Sequence, residues 1–238
     1  MLIKNKEKCI IPLVIEMRMR RKKNLDERLE QVSDYLIQWD RLDPDYRQLE
    51  ARDNLINFAQ LFGNSNKIML EVGCGKGGFA CEYARRHPDI NVLAVEKTAN
   101  VIVTACEAAK EQGLTNIKFL NCEAEYLQRY IPEKSISEIN LNFSCPFPKT
   151  KYAKHRLTHE RFLKIYEILM EDGAAIYQKT DNMHFFEFSI ESFSHSGFKI
   201  SNVSLDLHNS GFEGNIVTEY ERLFSEKGMP IYRLEARK

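Results

Sequence analysis

Apolar runs that alternate with helically spaced segments predict an α/β fold. The expected architecture is a doubly wound, mostly parallel seven-stranded sheet with an N-terminal helical, basic extension. Two observations carry this prediction. From Lys67 onward, short strand-like runs and helical segments of about 10–15 residues take turns, which is the signature of parallel crossovers. A glycine-rich turn, Gly73-Cys74-Gly75-Lys76-Gly77-Gly78, joins the first such strand to its helix, at the end of the sheet where ligands bind.

The elements follow in order. Leu25, Leu29, Val32 and Leu36 fall at helical spacing and predict a helix over 25–39. Asp43-Pro44-Asp45 is a break. A second helix is expected over 46–62, with Leu49, Leu55, Phe58, Ala59 and Phe62 facing the core. Strands are expected over 68–72, 91–96, 117–120, 136–143, 174–179, 198–207 and 230–236. Helices are expected over 77–86, 98–112, 157–170 and 181–196. Gly113 and Asp172-Gly173 supply two of the stops. Phe185, Phe186, Phe188 and Phe193 read as packing residues of the last helix. The chain then divides into an extension, 1–16, and a single domain, 17–238. In that domain a basic arm and helices (17–66) precede an α/β core (67–238).

Composition excludes several classes. The 238 residues contain 43% hydrophobic and 29% charged residues, as a folded soluble chain does. No apolar run approaches the roughly 20 residues that span a bilayer. Lys plus Arg and Asp plus Glu both number 34, which argues against a uniformly basic nucleic-acid binder. The six cysteines show no paired spacing, so they read as reduced thiols of a cytoplasmic protein. Residues 1–16 have the charge order of a secretory signal, but Pro12 interrupts the apolar stretch and no cleavage site follows. They read as an extension, with Met17 an alternative start. Arg18, Arg20, Arg21, Lys22 and Lys23 form a basic run that attracts phosphate.

The glycine loop fits two templates. Gly73-x-Gly75-x-x-Gly78 matches a dinucleotide fingerprint. Glu71-x-Gly73-x-Gly75-x-Gly77 matches the acid-glycine loop of S-adenosylmethionine-dependent methyltransferases. Glu71 favours the second, because a carboxylate suits the cationic amino-acid end of that cofactor and repels a pyrophosphate. Glu96 closes the second strand, where a carboxylate accepts ribose hydroxyls. Glu123 follows the third strand and can meet an adenine amino group. No P-loop, GxSxG elbow or HExxH motif is present. His155 and His159 share a helical spacing, but no third ligand accompanies them, so no metal is expected. After the fourth strand, Pro146 and Pro148 flank Phe147 and stiffen a loop beside the crevice. Lys149, Lys151, Lys154 and Arg156 follow without an intervening acid, as a phosphate-binding patch.

These motifs together resemble the bacterial tRNA (guanine-N7)-methyltransferases, from about Met17 to Arg237. The anchors are the Met-Arg-Met-Arg run, the loop from Glu71 to Gly78, and Asn142-Phe143-Ser144-Cys145-Pro146-Phe147-Pro148-Lys149. Later anchors are Lys179-Thr180-Asp181-Asn182, Asp206-Leu207-His208-Asn209-Ser210 and Thr218-Glu219-Tyr220-Glu221. The resemblance implies a Rossmann-like class I methyltransferase fold. It also implies methyl transfer from S-adenosylmethionine to N7 of guanosine 46 in the tRNA variable loop, in the cytoplasm, by a monomer or homodimer.

Carried over by position, Glu71, Gly73, Gly75, Glu96, Glu123 and Cys145 would bind the cofactor. Cys145 and Asp181 would be the catalytic positions. Lys149, Lys151, Lys154, Arg156, Asp181, Thr218, Glu219, Tyr220 and Glu221 would meet tRNA. The chain departs from the family pattern at four places. Cys145 stands for an Asp, Phe147 for a Trp and Glu123 for an Asp. Thr150, Tyr152 and His155 thin the basic run. Because N7 needs no base, the expectation is weakened turnover, with Asp181 or Glu221 as compensating carboxylates. A paralogue that binds tRNA without turnover, a methyltransferase for another substrate and a nicotinamide oxidoreductase are the rival readings.

Overall fold

The computed structural model describes residues 21–37 and 55–238. The expectations for 1–16, Arg18, Arg20, Asp43-Pro44-Asp45 and Leu49 lie outside the described residues. The elements, in order, are α1 (Leu25–Gln31), β1 (Leu36–Ile37), α2 (Phe58–Phe62), β2 (Ile68–Val72), α3 (Gly78–Arg86), β3 (Asn91–Val95), α4 (Ala99–Glu111), β4 (Ile117–Leu120) and β5 (Ile136–Asn142). There follow α5 (Glu160–Leu169), β6 (Met170–Thr180), α6 (Met183–His195), β7 (Lys199–Ser204), α7 (Glu219–Ser225) and β8 (Tyr232–Arg237).

The strands form one sheet in the order β1-β4-β3-β2-β5-β6-β8-β7, with β8 antiparallel to both β6 and β7 and the other pairs parallel. All seven expected strands form, and β1 makes an eighth. The order reverses between β2 and β5, so a crevice opens beyond their carboxyl ends.

Alternation along the strands divides the core. Leu70, Val72, Ile139, Leu141 and Ile176 point to one face and pack with Phe162, Leu163 and Tyr166 of α5 and Phe186 and Phe193 of α6. Met69, Val92, Ala94, Ile117 and Phe119 point to the other and meet α3, α4 and Leu25 and Val32 of the N-terminal segment. Glu71, Asn140, Asn142 and Lys179 are buried polar side chains near this second core, where the sheet runs past α3.

Two helices are shorter than their spacing predicts. α1 ends at Gln31, and Leu36 and Ile37 pair with Phe119 and Leu120 instead. The apolar spacing is real, since Leu25, Val32 and Leu36 are all buried, but pairing the open edge of β4 satisfies more backbone groups than another helical turn. α2 begins only after Asn57, whose side chain caps Gln60, and among the described residues 55–62 the buried one is Ile56 while Leu55 is exposed. Phe185, Phe186 and Phe193 are core residues as expected. β6 starts four residues early, at Met170, with an irregularity around Gly173, whose φ is 81°.

Candidate active site

The glycine turn leaves β2 at the switch point. Gly73, Gly75 and Gly77 have φ of 84°, 57° and 80°. This left-handed region costs a side chain about 1–2 kcal/mol per residue. At Gly77 space is also decisive, because an added Cβ would lie 2.7 Å from Cβ of Ala105 on α4. Gly75 has nothing within 4 Å of the same point, so the turn is open there. The amides of Gly73 and Cys74 both donate to the Val95 carbonyl, which ties the turn to β3.

Glu71 is 2% exposed at the end of β2. Its Oε1 accepts a 3.0 Å bond from Asn142 Nδ2 across the crevice. Its Oε2 is buried without a partner. Burial pushes the carboxyl up to about 7, against the opposing pull of Asn142, Lys179 and the Ala80 amide. A buried carboxylate oxygen left unpaired is costly, so the site fits a cationic group that would complete it. Glu96 follows β3, half-buried, with Oε1 accepting from the Thr98 amide at 2.9 Å. Glu123 follows β4 and is exposed. Three acids thus stand at or just beyond the carboxyl ends of three adjacent strands, at one end of the sheet.

The segment after β5 is held in an uncommon conformation. Phe143 and Phe147 have φ of 50° and 41°. Arg156 secures this loop: Nε donates to the Pro146 carbonyl at 2.9 Å and a terminal nitrogen to the Phe147 carbonyl at 3.1 Å. Its guanidinium lies 4.4 Å from the centre of the Phe188 ring. Read from the sequence as a phosphate ligand, Arg156 is here a brace of the loop. Phe188, read as a packing residue, is its half-buried platform.

Cys145 is exposed within that loop. Asp181 follows β6, and Tyr220 lies on α7. The Tyr220 hydroxyl is raised to about 12, first by burial and then by Asp181 and Cys145, both within electrostatic reach of it. The ring of Tyr220 lies 5.2 Å from that of Phe143. Asp181 is half-buried, and burial raises its carboxyl above the usual range. Asn182, beside it, caps α6.

Thr218 caps α7 by accepting from the Glu221 amide at 3.0 Å. Glu221 itself is fully enclosed. One oxygen takes Lys179 Nζ at 2.7 Å, and the other takes Asn215 Nδ2 at 2.7 Å and faces His208 Nε2 at 3.1 Å. Both Glu221 oxygens are therefore committed, which leaves Asp181 as the freer of the two carboxylates expected to compensate for Cys145. Lys149, Lys151, Lys154 and Glu219 are exposed along the rim with Tyr220. Lys22 reaches this end too, through its amide on Asn100 (3.0 Å) and Nζ on Thr104 (2.5 Å) near the start of α4. His159 caps α5 and stacks on Phe188, and among the described residues no group of three His, Cys, Asp or Glu is arranged for a metal.

Sequence reasoning missed α7 and the role of Lys179. Thr218-x-x-Glu221 is a capping-box spacing and could have signalled the helix. Nothing local could have signalled Lys179, whose partners lie 36 or more residues away.

Residues 65–234 match the family profile described as "Putative methyltransferase". The tRNA (guanine-N(7)-)-methyltransferase of Bacillus subtilis strain 168 is 44% identical over 92% of this chain and 98% of its own length. The protein of that name from Halalkalibacterium halodurans is 47% identical over 76% of this chain and 82% of its own. Among solved structures, the 16S rRNA methyltransferase KamB superposes with a TM-score of 0.56 at 19% identity, covering 77% of this chain and 94% of its own. That likeness carries the Rossmann-like fold alone. The identities over most of both chains carry more: the chain belongs to the tRNA (guanine-N7)-methyltransferase family.

Proposed function

We propose that this chain methylates N7 of guanosine 46 in the variable loop of tRNA, using S-adenosylmethionine. The observation that carries the reading is the buried, half-satisfied Glu71 at the glycine turn, facing a crevice rimmed by exposed lysines. Glu71, Gly73, Gly75, Glu96 and Glu123 would hold the cofactor, with Cys145 at its edge. Bound there, it supplies an electrophilic methyl group on a cationic sulfur.

Guanine N7 carries a lone pair and no proton, so no side chain has to remove one. The chain's own work is alignment, exclusion of water and placement of negative charge near a purine that becomes cationic. Asp181 supplies that charge. Tyr220 and Phe143 form an aromatic wall for the base. Lys149, Lys151 and Lys154 take phosphates, and Thr218 and Glu221 set the α7 end of the acceptor site, with Glu219 on its outer rim. Arg156 keeps the proline loop in place. Cys145 is too weak an acceptor to replace a carboxylate, which makes turnover slower than with Asp there. Losing one preorganised group costs roughly 10²–10³ in rate and does not abolish it.

Residues 17–238 read as a single domain, supported by one sheet that runs from Leu36 to Arg237. Among the described residues no helix is long and apolar enough to cross a membrane. A tRNA substrate and the free thiols of Cys74, Cys81, Cys106, Cys122 and Cys145 favour the cytoplasm. Radiolabelled S-adenosylmethionine and a tRNA transcript test the activity. Label is expected in the transcript at N7, and a transcript without the guanosine at position 46 should take up none. Binding of tRNA with no label would favour the non-catalytic paralogue.

A further inference from the structure

Lys179 stands where three parts of the site meet. Its ammonium donates to Asn215 Oδ1 (2.9 Å), to the Ile216 carbonyl (2.8 Å) and to Glu221 Oε2 (2.7 Å), all on the segment that leads into α7. It lies 5.6 Å from the centre of the Phe79 ring, at the start of α3 beyond the glycine turn. It lies 5.8 Å from the ring of Phe143, at the start of the proline loop. Its backbone carbonyl accepts from the Phe143 amide at 2.8 Å. In the sheet it is paired with Asn142, whose side-chain amide donates to Glu71 Oε1 at 3.0 Å, and its charge acts on Glu71 across that contact. The side chain is 7% exposed, so it reaches neither solvent nor a large substrate directly.

Lys179 thus sits between two acids with different duties. Glu71 lacks one partner, while Glu221 has all of its own. A cation arriving at Glu71 would neutralise it and repel the ammonium. Lys179 would then be held more tightly by Glu221, Asn215 and Ile216. That favours the arrangement of 215–221 in which Tyr220 faces Phe143. The two sites are then linked through one ammonium, and linkage works equally in both directions.

We propose that Lys179 is a positioning residue that couples occupancy of the Glu71 end of the crevice to tRNA binding at the 215–221 segment. This rests on the reading above, that the cofactor's ammonium meets Glu71 and that tRNA approaches α7.

The test measures tRNA affinity with and without saturating S-adenosylhomocysteine, which keeps the amino-acid end, and with methylthioadenosine, which lacks it. With the wild-type chain, S-adenosylhomocysteine should tighten tRNA binding roughly five-fold or more, and methylthioadenosine should not. Lys179→Met should remove the coupling while each ligand alone still binds. Lys179→Arg should keep part of it.

Lys179→Met leaves the Glu221 carboxylate buried without its cation, so the variant could fail to fold. Lys179→Met/Glu221→Gln removes both charges, and the coupling should be absent there too. A residue that merely supports the fold would weaken both ligands and leave their ratio intact. Coupling that persists without Lys179, or a wild type that shows none, overturns the proposal. A wild type that places no label on tRNA overturns the functional reading instead, and the two failures are read in separate assays.

Discussion

The Arg156 guanidinium donates to the carbonyl of Phe147, a residue held at φ 41°. A left-handed phenylalanine is sparsely populated, so the loop keeps this form only while its carbonyls are engaged. Arg156→Ala should release it. The expected result is a fall in kcat of about 10–100-fold with tRNA affinity little changed, because a displaced wall misaligns the base without removing a phosphate contact. Arg156→Lys should recover little, since one ammonium cannot serve both carbonyls in the guanidinium's planar geometry. Single-turnover rates measured beside tRNA dissociation constants check the split.

Cys145 is exposed and, like Asp181, lies within electrostatic reach of the Tyr220 hydroxyl, where negative charge would stabilise a purine cation. Cys145→Asp should raise kcat by about ten-fold or more. Cys145→Ala should change it less than three-fold, because sulfur is too weak a hydrogen-bond acceptor to contribute much there. An abolished rate in Cys145→Ala would show that the thiol has a chemical role that methyl transfer to N7 does not require.

Much of this site was legible before the fold was known. Glu71, Gly73 and Gly75 follow from strand, turn and helix in sequence. Glu96 follows from its place after the next strand, and the structure puts it beside the turn. The rest depends on contacts between distant segments. Phe143 and Phe147 give no local sign of positive φ, since that region is normally left to glycine. Arg156 looks like any member of a basic run until its partners at Pro146 and Phe147 are seen. β1 was read as helix because Leu36 continues a helical spacing, and only the open edge of β4 decides otherwise.

The ionisation of Glu71 sets a pH dependence. Burial raises its carboxyl to about 7 from an ordinary 4.5. The folded chain without cofactor therefore binds this proton more readily than the unfolded chain. Its contribution to stability falls as pH rises from 4.5 to about 7, then levels off. Cofactor binding runs the other way, because the cationic amino-acid end needs the carboxylate. Affinity for S-adenosylhomocysteine should rise about ten-fold per pH unit up to about 7 and flatten above it. Glu71→Gln should bind weakly at every pH, with a flat profile. Calorimetric titrations from pH 5.5 to 8.5 distinguish the two.

Gly75 and Gly77 share a left-handed backbone but differ in surroundings, so the same substitution should have different consequences. Gly77→Ala drives a methyl group to 2.7 Å from Ala105 Cβ, at a packed contact between the turn and α4. Strain and overpacking together should cost about 2–5 kcal/mol and lower Tm by roughly 5–15 °C. Gly75→Ala meets no atom within 4 Å and bears only the backbone strain, about 1–2 kcal/mol. It should instead weaken the cofactor, because its methyl projects into the open side of the turn. Thermal unfolding with and without S-adenosylhomocysteine separates a loss of packing from a loss of binding.

Whole-chain neutrality conceals a local grip. Lys149, Lys151 and Lys154 are exposed on the segment that follows the proline loop, with no acid from 144 to 158 to offset them. If each engages a phosphate, tRNA affinity must fall with salt. Each Lys→Gln change should then reduce the slope of log affinity against log salt by about 0.7–0.9. Arg156→Ala provides the contrast, since its guanidinium is already spent on Pro146 and Phe147 and should leave the slope unchanged. Binding measured between 50 and 300 mM salt for the four variants resolves this. A slope that drops equally for Arg156→Ala would mean that the arginine leaves the loop to meet the RNA, and that the brace inferred from the free protein is exchanged on binding.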